Sequence, residues 1–269
     1  MRRVLAALAA TVVLAGCTST AEAPVDEPAP ASPEPTPTTT TPLPDPGPTP
    51  ALGECHALTF RQALVVVGRT APVPCRKQHT AQTYFVGTLD LTTDAGFTRR
   101  VDSQAAQRQM RTACTRRLPR HLGRTPRELR LTMVRAVWFS PSPARAEAGA
   151  DWFRCDVVAV ASPRELLRLP RRTKGWGAPA MCATAAPGTR GFDRVACSRR
   201  HSWRAVATVD IPGARLPAAA AIAGRMDPVC RDVAAGSADD PLDFTWSQES
   251  PTREQWEAGQ RYGICWVPA

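Results

Sequence analysis

Residues 73–80 are Val-Pro-Cys-Arg-Lys-Gln-His-Thr, and residues 195–202 are Val-Ala-Cys-Ser-Arg-Arg-His-Ser. Each stretch runs on into an extended, partly apolar segment, which ends in Thr-Leu-Asp at 88–90 and in Thr-Val-Asp at 208–210. The shared frame Val-x-Cys-x-x-x-His-[Thr/Ser] is too long to recur by chance, and a recurring frame is the signature of a repeated unit. The repeat therefore predicts a duplicated domain.

A second pair of stretches extends the repeat to the last strand of each unit. Residues 251–267 align without gaps with residues 141–157, and both contain Glu-Ala-Gly and end in Cys-x-Val. The pair Met226-x-x-x-Cys230 likewise mirrors Met110-x-x-x-Cys114. The duplication is therefore predicted element by element.

Apolar periodicity and capping residues predict the elements. In the first unit we expect strands at 63–67, 82–91, 131–139 and 152–160, and a helix that Asp102 caps and Pro119 stops. In the second we expect a strand at 203–209 and a helix at 218–234 that Pro228 breaks. The predicted fold is α+β, with two tandem homologous small domains at 51–161 and 175–269, a linker at 162–174, and in each domain an antiparallel sheet, one main helix and two disulfides.

Eight of the nine cysteines divide evenly between the two units. Four cysteines allow three connectivities, and an even, repeated set is typical of a disulfide framework in an exported protein. We prefer first with second and third with fourth, because this joins each domain's start to its signature strand and its helix to its last strand. Loops of about 20 and 40 residues give about 3–4 kcal/mol for each bond. The eight are Cys55, Cys75, Cys114, Cys155, Cys182, Cys197, Cys230 and Cys265.

The ninth cysteine, Cys17, follows a short apolar segment that is preceded by two arginines. The segment is shorter than the roughly 20 residues that a spanning helix needs, so residues 1–17 are predicted to be a signal peptide. Leu-Ala-Gly-Cys at 14–17 matches the bacterial lipobox, which predicts acylation of Cys17 and anchoring at the extracytoplasmic face of the cell membrane. Residues 18–50 are rich in Pro and Thr and are predicted to form a disordered stalk.

Positive charge is concentrated in the first unit. Residues 51–173 contain 21 Lys and Arg against 9 Asp and Glu, whereas residues 174–269 contain 11 against 10. Arginine recognises phosphates bidentately, so we expect an anionic partner such as phospholipid head groups, a wall-linked polymer or an acidic envelope protein. A solvated basic face is the alternative, and an exported location disfavours nucleic acid. The candidates are Arg108, Arg111, Arg116, Arg117 and Arg120.

The histidines of the repeated frame leave several chemistries open. Cys75 with His79, and Cys197 with His201, have a spacing that suits a metal ion, but each pair needs two further ligands. Ser198, His201 and Asp193 supply the residue types of a Ser/His/Asp site, but there is no Gly-x-Ser-x-Gly elbow. We favour a structural hydrogen bond from each imidazole to nearby backbone. The prediction is therefore no catalytic residue, no metal and no cofactor, with an envelope enzyme such as a cell-wall hydrolase as the alternative.

The combined motifs resemble the septum formation domain of actinobacterial envelope proteins, in two tandem copies. These motifs are Gly-x-Cys, Val-x-Cys-x-x-x-His, a helix with one cysteine, and Pro-Thr-x-x-x-Trp-x-x-Gly-x-Arg-x-x-x-Cys-x-Val. The resemblance implies an envelope-associated, non-catalytic binding or scaffold module linked to septum formation. The first copy has Ala146 and Asp151 in place of Trp256 and Arg261, which predicts the loss of a contact surface there. The last motif is matched by Pro251, Thr252, Trp256, Gly259, Arg261, Cys265 and Val267, and the predicted structural or binding residues are His79, His201, Trp256, Gly259 and Arg261.

Overall fold

The computed structural model describes residues 45–269 except 94 and 97. The predicted signal peptide, Cys17 and most of the predicted stalk lie outside these residues. Within them, none of the helices is long and apolar enough to cross a membrane.

The first half of the described chain contains a five-stranded antiparallel sheet. Its strand order is β1-β2-β4-β3, and β5 pairs with the far end of β4. The long helix α2 packs on one face of this sheet. The elements are β1 Cys55–His56, α1 Phe60–Ala63, β2 Ala81–Thr88, α2 Gln104–Leu122, α3 Pro126–Leu129, β3 Val134–Phe139, α4 Pro143–Glu147, β4 Trp152–Ser162 and β5 Glu165–Leu166.

The second half contains another five-stranded antiparallel sheet, in the order β7-β6-β8-β10-β9. Helix α5 covers one face of it. The predicted α+β class is therefore confirmed. The elements are β6 Met181–Ala183, β7 Arg194–Ala196, β8 Trp203–Asp210, α5 Ala219–Ala235, β9 Ser247–Glu249, α6 Arg253–Glu257 and β10 Tyr262–Pro268.

Both long helices run through a proline, so the predicted stops at Pro119 and Pro228 are wrong. A proline leaves the carbonyl four residues earlier without its N–H partner. Those carbonyls belong to Thr115 and Gly224, and both residues are exposed, so water can bind them. Helix α2 instead ends where Gly123 adopts the left-handed conformation.

The N-terminal ends of α1 and α2 correct two further predictions. Ser103, and not Asp102, caps α2 by accepting a hydrogen bond from the Ala106 N–H. The expected strand at 63–67 is wrong, because Thr59 and Gln62 form a capping box that starts α1 over the first of those residues. Beyond α1, the segment contributes an isolated bridge between Val67 and Ser140.

Four disulfides fasten the two halves internally, with the pairing preferred from the sequence. Cys114–Cys155 joins α2 to β4, and Cys230–Cys265 joins α5 to β10. In each case a methionine one helical turn before the cysteine is completely buried. The other two bonds are Cys55–Cys75 and Cys182–Cys197.

The two halves share an apolar cluster. Met133 and Val160 from the first sheet pack with Met181, Ile264 and Trp266 from the second. The Met133 N–H donates to the carbonyl of Pro179 at 2.9 Å, which adds a backbone contact between the halves. The sheets are therefore joined by core packing, and a division into two separate domains stays a prediction.

Candidate functional site

The histidines of the repeated frame contact backbone carbonyls. Nδ1 of His79 lies 2.9 Å from the carbonyl oxygen of Lys77, and Nε2 lies 3.1 Å from that of Pro170. Nδ1 of His201 lies 2.7 Å from the carbonyl oxygen of Arg199. His79 is buried, whereas His201 is half-exposed. Both contacts agree with the structural hydrogen bond expected for this position.

The alternative of a metal held by Cys75 with His79, or by Cys197 with His201, is not compatible with the disulfides. Both cysteines are oxidised, so neither offers the thiolate that binds a metal ion. In the described part of the chain, no group of three or more His, Cys, Asp or Glu residues is placed to hold a metal.

Trp256, Gly259 and Arg261 form the corner between α6 and β10. The Arg261 guanidinium stacks on the Trp256 ring at 4.0 Å and donates to the Trp256 carbonyl. Gly259 has φ +101°, a conformation that favours glycine, and its N–H closes the turn at 2.9 Å from the same carbonyl. Trp256 is only 4% exposed, so this motif builds the fold at that corner.

Helix α2 carries all five predicted anion-binding arginines. Arg108, Arg111, Arg116 and Arg120 are exposed, and none is in an ion pair with a described residue. Arg108 and Arg116 line one shallow cavity of about 500 Å³ together with Arg99. Arg117 differs from the others, because its guanidinium packs at 3.9 Å on the ring of Phe85. We call the exposed set Arg108, Arg111, Arg116 and Arg120 the α2 arginine face.

The arginines that follow α2 connect the two halves. Arg127 donates to the carbonyl of Thr208 at 3.5 Å. Arg130 forms an ion pair with Asp210 and lies 4.3 Å from the ring centroid of Tyr262. These side chains are occupied by the second half, so the α2 arginine face is the part of this basic region that remains open to a partner.

A buried polar cluster, which the sequence analysis missed, lies on the face of the first sheet opposite α2. Arg154 is 4% exposed, and Asp156 and His56 are 0% exposed. Nε of Arg154 lies 3.2 Å from Oδ2 of Asp156, while Oδ1 accepts a hydrogen bond from Thr83 at 2.8 Å. Nε2 of His56 lies 3.7 Å from Oε2 of Glu54.

Burial shifts the pKa values of His56, Arg154 and Asp156 toward the neutral form of each group. Burial, and then the charge of Arg154, lowers the pKa of His56 from 6.5 to about 4. Burial raises the pKa of Asp156 from 3.8 to about 6, although Arg154 and the Thr83 hydroxyl oppose the shift. At neutral pH the cluster therefore holds a neutral imidazole beside an Arg154–Asp156 ion pair.

A sequence signal for this cluster does exist. Arg154 and Asp156 lie two residues apart in an otherwise apolar strand, so they point to the same face of the sheet. The gapless alignment of 141–157 with 251–267 places Ile264 and Trp266 at these two positions. The first stretch thus has two charged residues where the second has two apolar residues, so the two halves differ in chemistry at these positions.

Comparison with protein families gives one match, in which the model described as septum formation covers residues 52–265. This chain belongs to the septum formation family. The match runs through both halves as a single stretch. Neither the curated proteins nor the solved structures contain a match to the chain.

Proposed function

We propose that this protein is a lipid-anchored, non-catalytic binding or scaffold module of the cell envelope, and that the α2 arginine face binds an anionic partner. The observation that carries the proposal is the set of exposed arginines that form no ion pair with a described residue. Close to an anionic surface, each such arginine contributes on the order of 1 kcal/mol. Four on one helix therefore predict salt-sensitive docking.

The location rests on the disulfides and the lipobox. Four disulfides are typical of an oxidising, extracytoplasmic compartment. An acylated Cys17 on a Pro-rich stalk places the folded part outside the membrane, where lipid head groups and wall-linked polymers are the abundant anions. The contacts of His79 with backbone carbonyls support a structural role for this residue over a catalytic one.

The proposal includes the duplication of the folded part. Strands β1-β2-β4-β3 and β6-β8-β10-β9 have the same order along their sheets. Each sheet also has a bulge at the matching place, since Tyr84 on β2 and Val206 on β8 have no paired residue. The first copy has the arginine face on its long helix and the second copy does not. We therefore assign the anionic partner to the first half.

The test uses a Cys17→Ser chain, so that lipidation does not cause binding. Sedimentation with vesicles containing phosphatidylglycerol, and with isolated wall fractions, is measured over a range of salt concentrations. Replacing the four arginines of the α2 face by Gln is expected to weaken binding at least tenfold and to flatten its salt dependence. The matched control replaces four exposed arginines of the second half, Arg190, Arg200, Arg215 and Arg253.

Equal weakening by the two quadruple variants would show that net charge alone is responsible, and the α2 arginine face would be rejected. The anchor is tested separately in cells. A Cys17→Ser chain is expected to leave the membrane fraction, and its retention there would reject lipidation.

A further inference from the structure

A second candidate site lies beside the buried polar cluster, away from α2. A cavity of about 610 Å³ opens between the segment after α1 and the first turn of α4. Its volume is within the range of small-molecule sites. Its polar lining consists chiefly of Glu54, Arg69, Arg145, Trp152 and Arg154.

Three buried donor nitrogens, on two residues of this lining, have no acceptor in the described protein. Nε and Nη2 of Arg154 are without a hydrogen-bond partner, since the 3.2 Å contact with Asp156 lacks hydrogen-bond geometry. The indole N–H of Trp152 is also unpaired. An unsatisfied buried donor costs about 1–3 kcal/mol, and more when it is charged. Both side chains line the cavity, so its wall has a buried positive charge and an indole group that favour an anionic ligand.

The fold does not require these charges. At the two positions aligned with Arg154 and Asp156, the second half has Ile264 and Trp266, both 0% exposed in an apolar cluster. Replacing a buried ion pair by packed apolar residues is often neutral or stabilising. The first half has a charged pair at the place where the second half has apolar side chains. Because the fold does not need these charges, they point to a role in binding.

The other groups at the cavity define the ligand. Arg69 and Arg145 are exposed at its rim and attract an anion, while the Glu54 carboxylate repels a dianion and accepts from an N–H. An adjoining cavity shares Val67, Arg69 and Thr70 and has the apolar wall of Val65, Val66 and Phe139. The lining thus complements one negative charge, one N–H donor and one apolar group.

We propose that this cavity binds the free carboxylate end of an acylated amino acid or short peptide whose last side chain is apolar. The carboxylate pairs with the arginines and the Trp152 N–H, Glu54 accepts the ligand's amide N–H, and the apolar side chain enters the adjoining cavity. This site is separate from the α2 arginine face and does not depend on it.

The experiment titrates the complete chain with N-acetyl-leucine and follows the indole N–H signal of Trp152 by two-dimensional NMR. Trp152→Phe assigns the signal. The amide of N-acetyl-leucine has the same shape without the charge, and inorganic phosphate supplies charge without the apolar group. One variant, called the rim variant, combines Arg69→Gln and Arg145→Gln at the exposed rim. A second variant is Arg154→Gln, and the other NMR signals show whether it folds. Arg200→Gln, at an exposed position of the second half, is the matched control.

We expect a saturable shift with N-acetyl-leucine and at least tenfold weaker binding of both the amide and phosphate. The rim variant should weaken N-acetyl-leucine binding at least tenfold, whereas Arg200→Gln should leave it unchanged. The proposal is overturned by the absence of a saturable shift, by equal binding of the amide or of phosphate, or by wild-type affinity in the rim variant. The rim variant keeps Arg154, so its outcomes do not depend on whether Arg154→Gln folds.

Discussion

At the residue scale, the two halves use glycine on opposite strands for the same packing problem. Gly87 pairs with Phe153 in the first sheet, and Val209 pairs with Gly263 in the second. A Cβ on Gly87 would lie 2.7 Å from the Phe153 ring, and a Cβ on Gly263 would lie 2.2 Å from Sδ of Met226. In the first sheet the cross-strand Phe153 fills the space beside Gly87, and in the second Met226 of α5 fills the space beside Gly263. Both places therefore require glycine.

Gly263→Ala is expected to destabilise the protein by about 1–3 kcal/mol, the usual cost of overpacking a core. The reason is that the added Cβ would meet Met226, which is 0% exposed in the apolar cluster beside α5. Urea unfolding measures the change. Gly224→Ala is the control, because that exposed helix position has nothing within 4 Å and should become slightly more stable. Unchanged stability of Gly263→Ala would contradict the contact with Met226.

His56 makes stability depend on pH. Its pKa is about 4 in the folded state and 6.5 as the ordinary value, so the unfolded chain binds a proton first as the pH falls. Stability from this residue is complete above pH 6.5 and declines toward pH 4, by about 3 kcal/mol at most. Asp156, with its pKa raised to about 6, acts in the opposite direction between pH 6 and 4.

Comparing wild type with His56→Asn separates the two contributions, since both proteins keep Asp156. We expect the difference in unfolding free energy to shift in favour of the variant as the pH falls from 7 to 4. Thermal or urea unfolding at half-unit pH steps measures it. Parallel pH curves for the two proteins would mean that His56 is not held neutral by burial.

At the element scale, the connecting segment 162–174 is part of the packed structure. Leu169 is buried and its N–H donates to the carbonyl of His79 at 3.0 Å. Gln82 fixes the end of the segment, because its Nε2 donates to the Arg171 carbonyl at 3.1 Å and its Oε1 accepts from the N–H and hydroxyl of Thr173. The histidine of the repeated frame therefore helps to seat this segment.

Gln82→Ala is expected to release this segment from the first sheet. The exposed Arg171 and Arg172 would then become good sites for trypsin, because cleavage needs a locally unfolded backbone. We expect cleavage there to be at least several-fold faster than in wild type, measured by peptide mapping under native conditions. Gln78→Ala, an exposed position nearby, is the control and should cleave at the wild-type rate.

Sequence patterns predicted the elements that depend on local signals. The strand after His79 and the two long helices follow from periodicity, and the preferred cysteine pairing follows from the elements that it joins. The stops at Pro119 and Pro228 were wrong because they depend on whether water reaches a carbonyl one turn away, which is a property of the folded surface. The polar cluster was missed because His56 and Arg154, far apart in sequence, meet only when β1 and β4 join one sheet.

At the scale of the whole molecule, the corresponding faces of the two sheets have different neighbours. The face with Ile264 and Trp266 packs against Met133 of the first half. The equivalent face of the first sheet, with Arg154 and Asp156, is covered by α1 and the cavity instead. This face of the first sheet therefore borders a cavity, whereas the matching face of the second sheet forms the contact between the halves.

The shared apolar cluster predicts that the two halves unfold together. Met133 is 2% exposed in that cluster, and Met133→Ala should cost about 2–5 kcal/mol by leaving a cavity. If folding is cooperative, hydrogen exchange should then become faster in β8 and β10 of the second half as well as in β3 and β4.

The reciprocal variant makes the test stricter. Met226 lies on the buried side of α5 in the second half, outside the shared cluster. Met226→Ala should accelerate exchange in β2 and β4 of the first half to a similar extent. Loss of protection confined to the mutated half in both variants would instead show two independently stable domains. In that case the contact at Met133, Met181 and Trp266 would be a docking surface, and each half would hold its fold by its own helix and its own two disulfides.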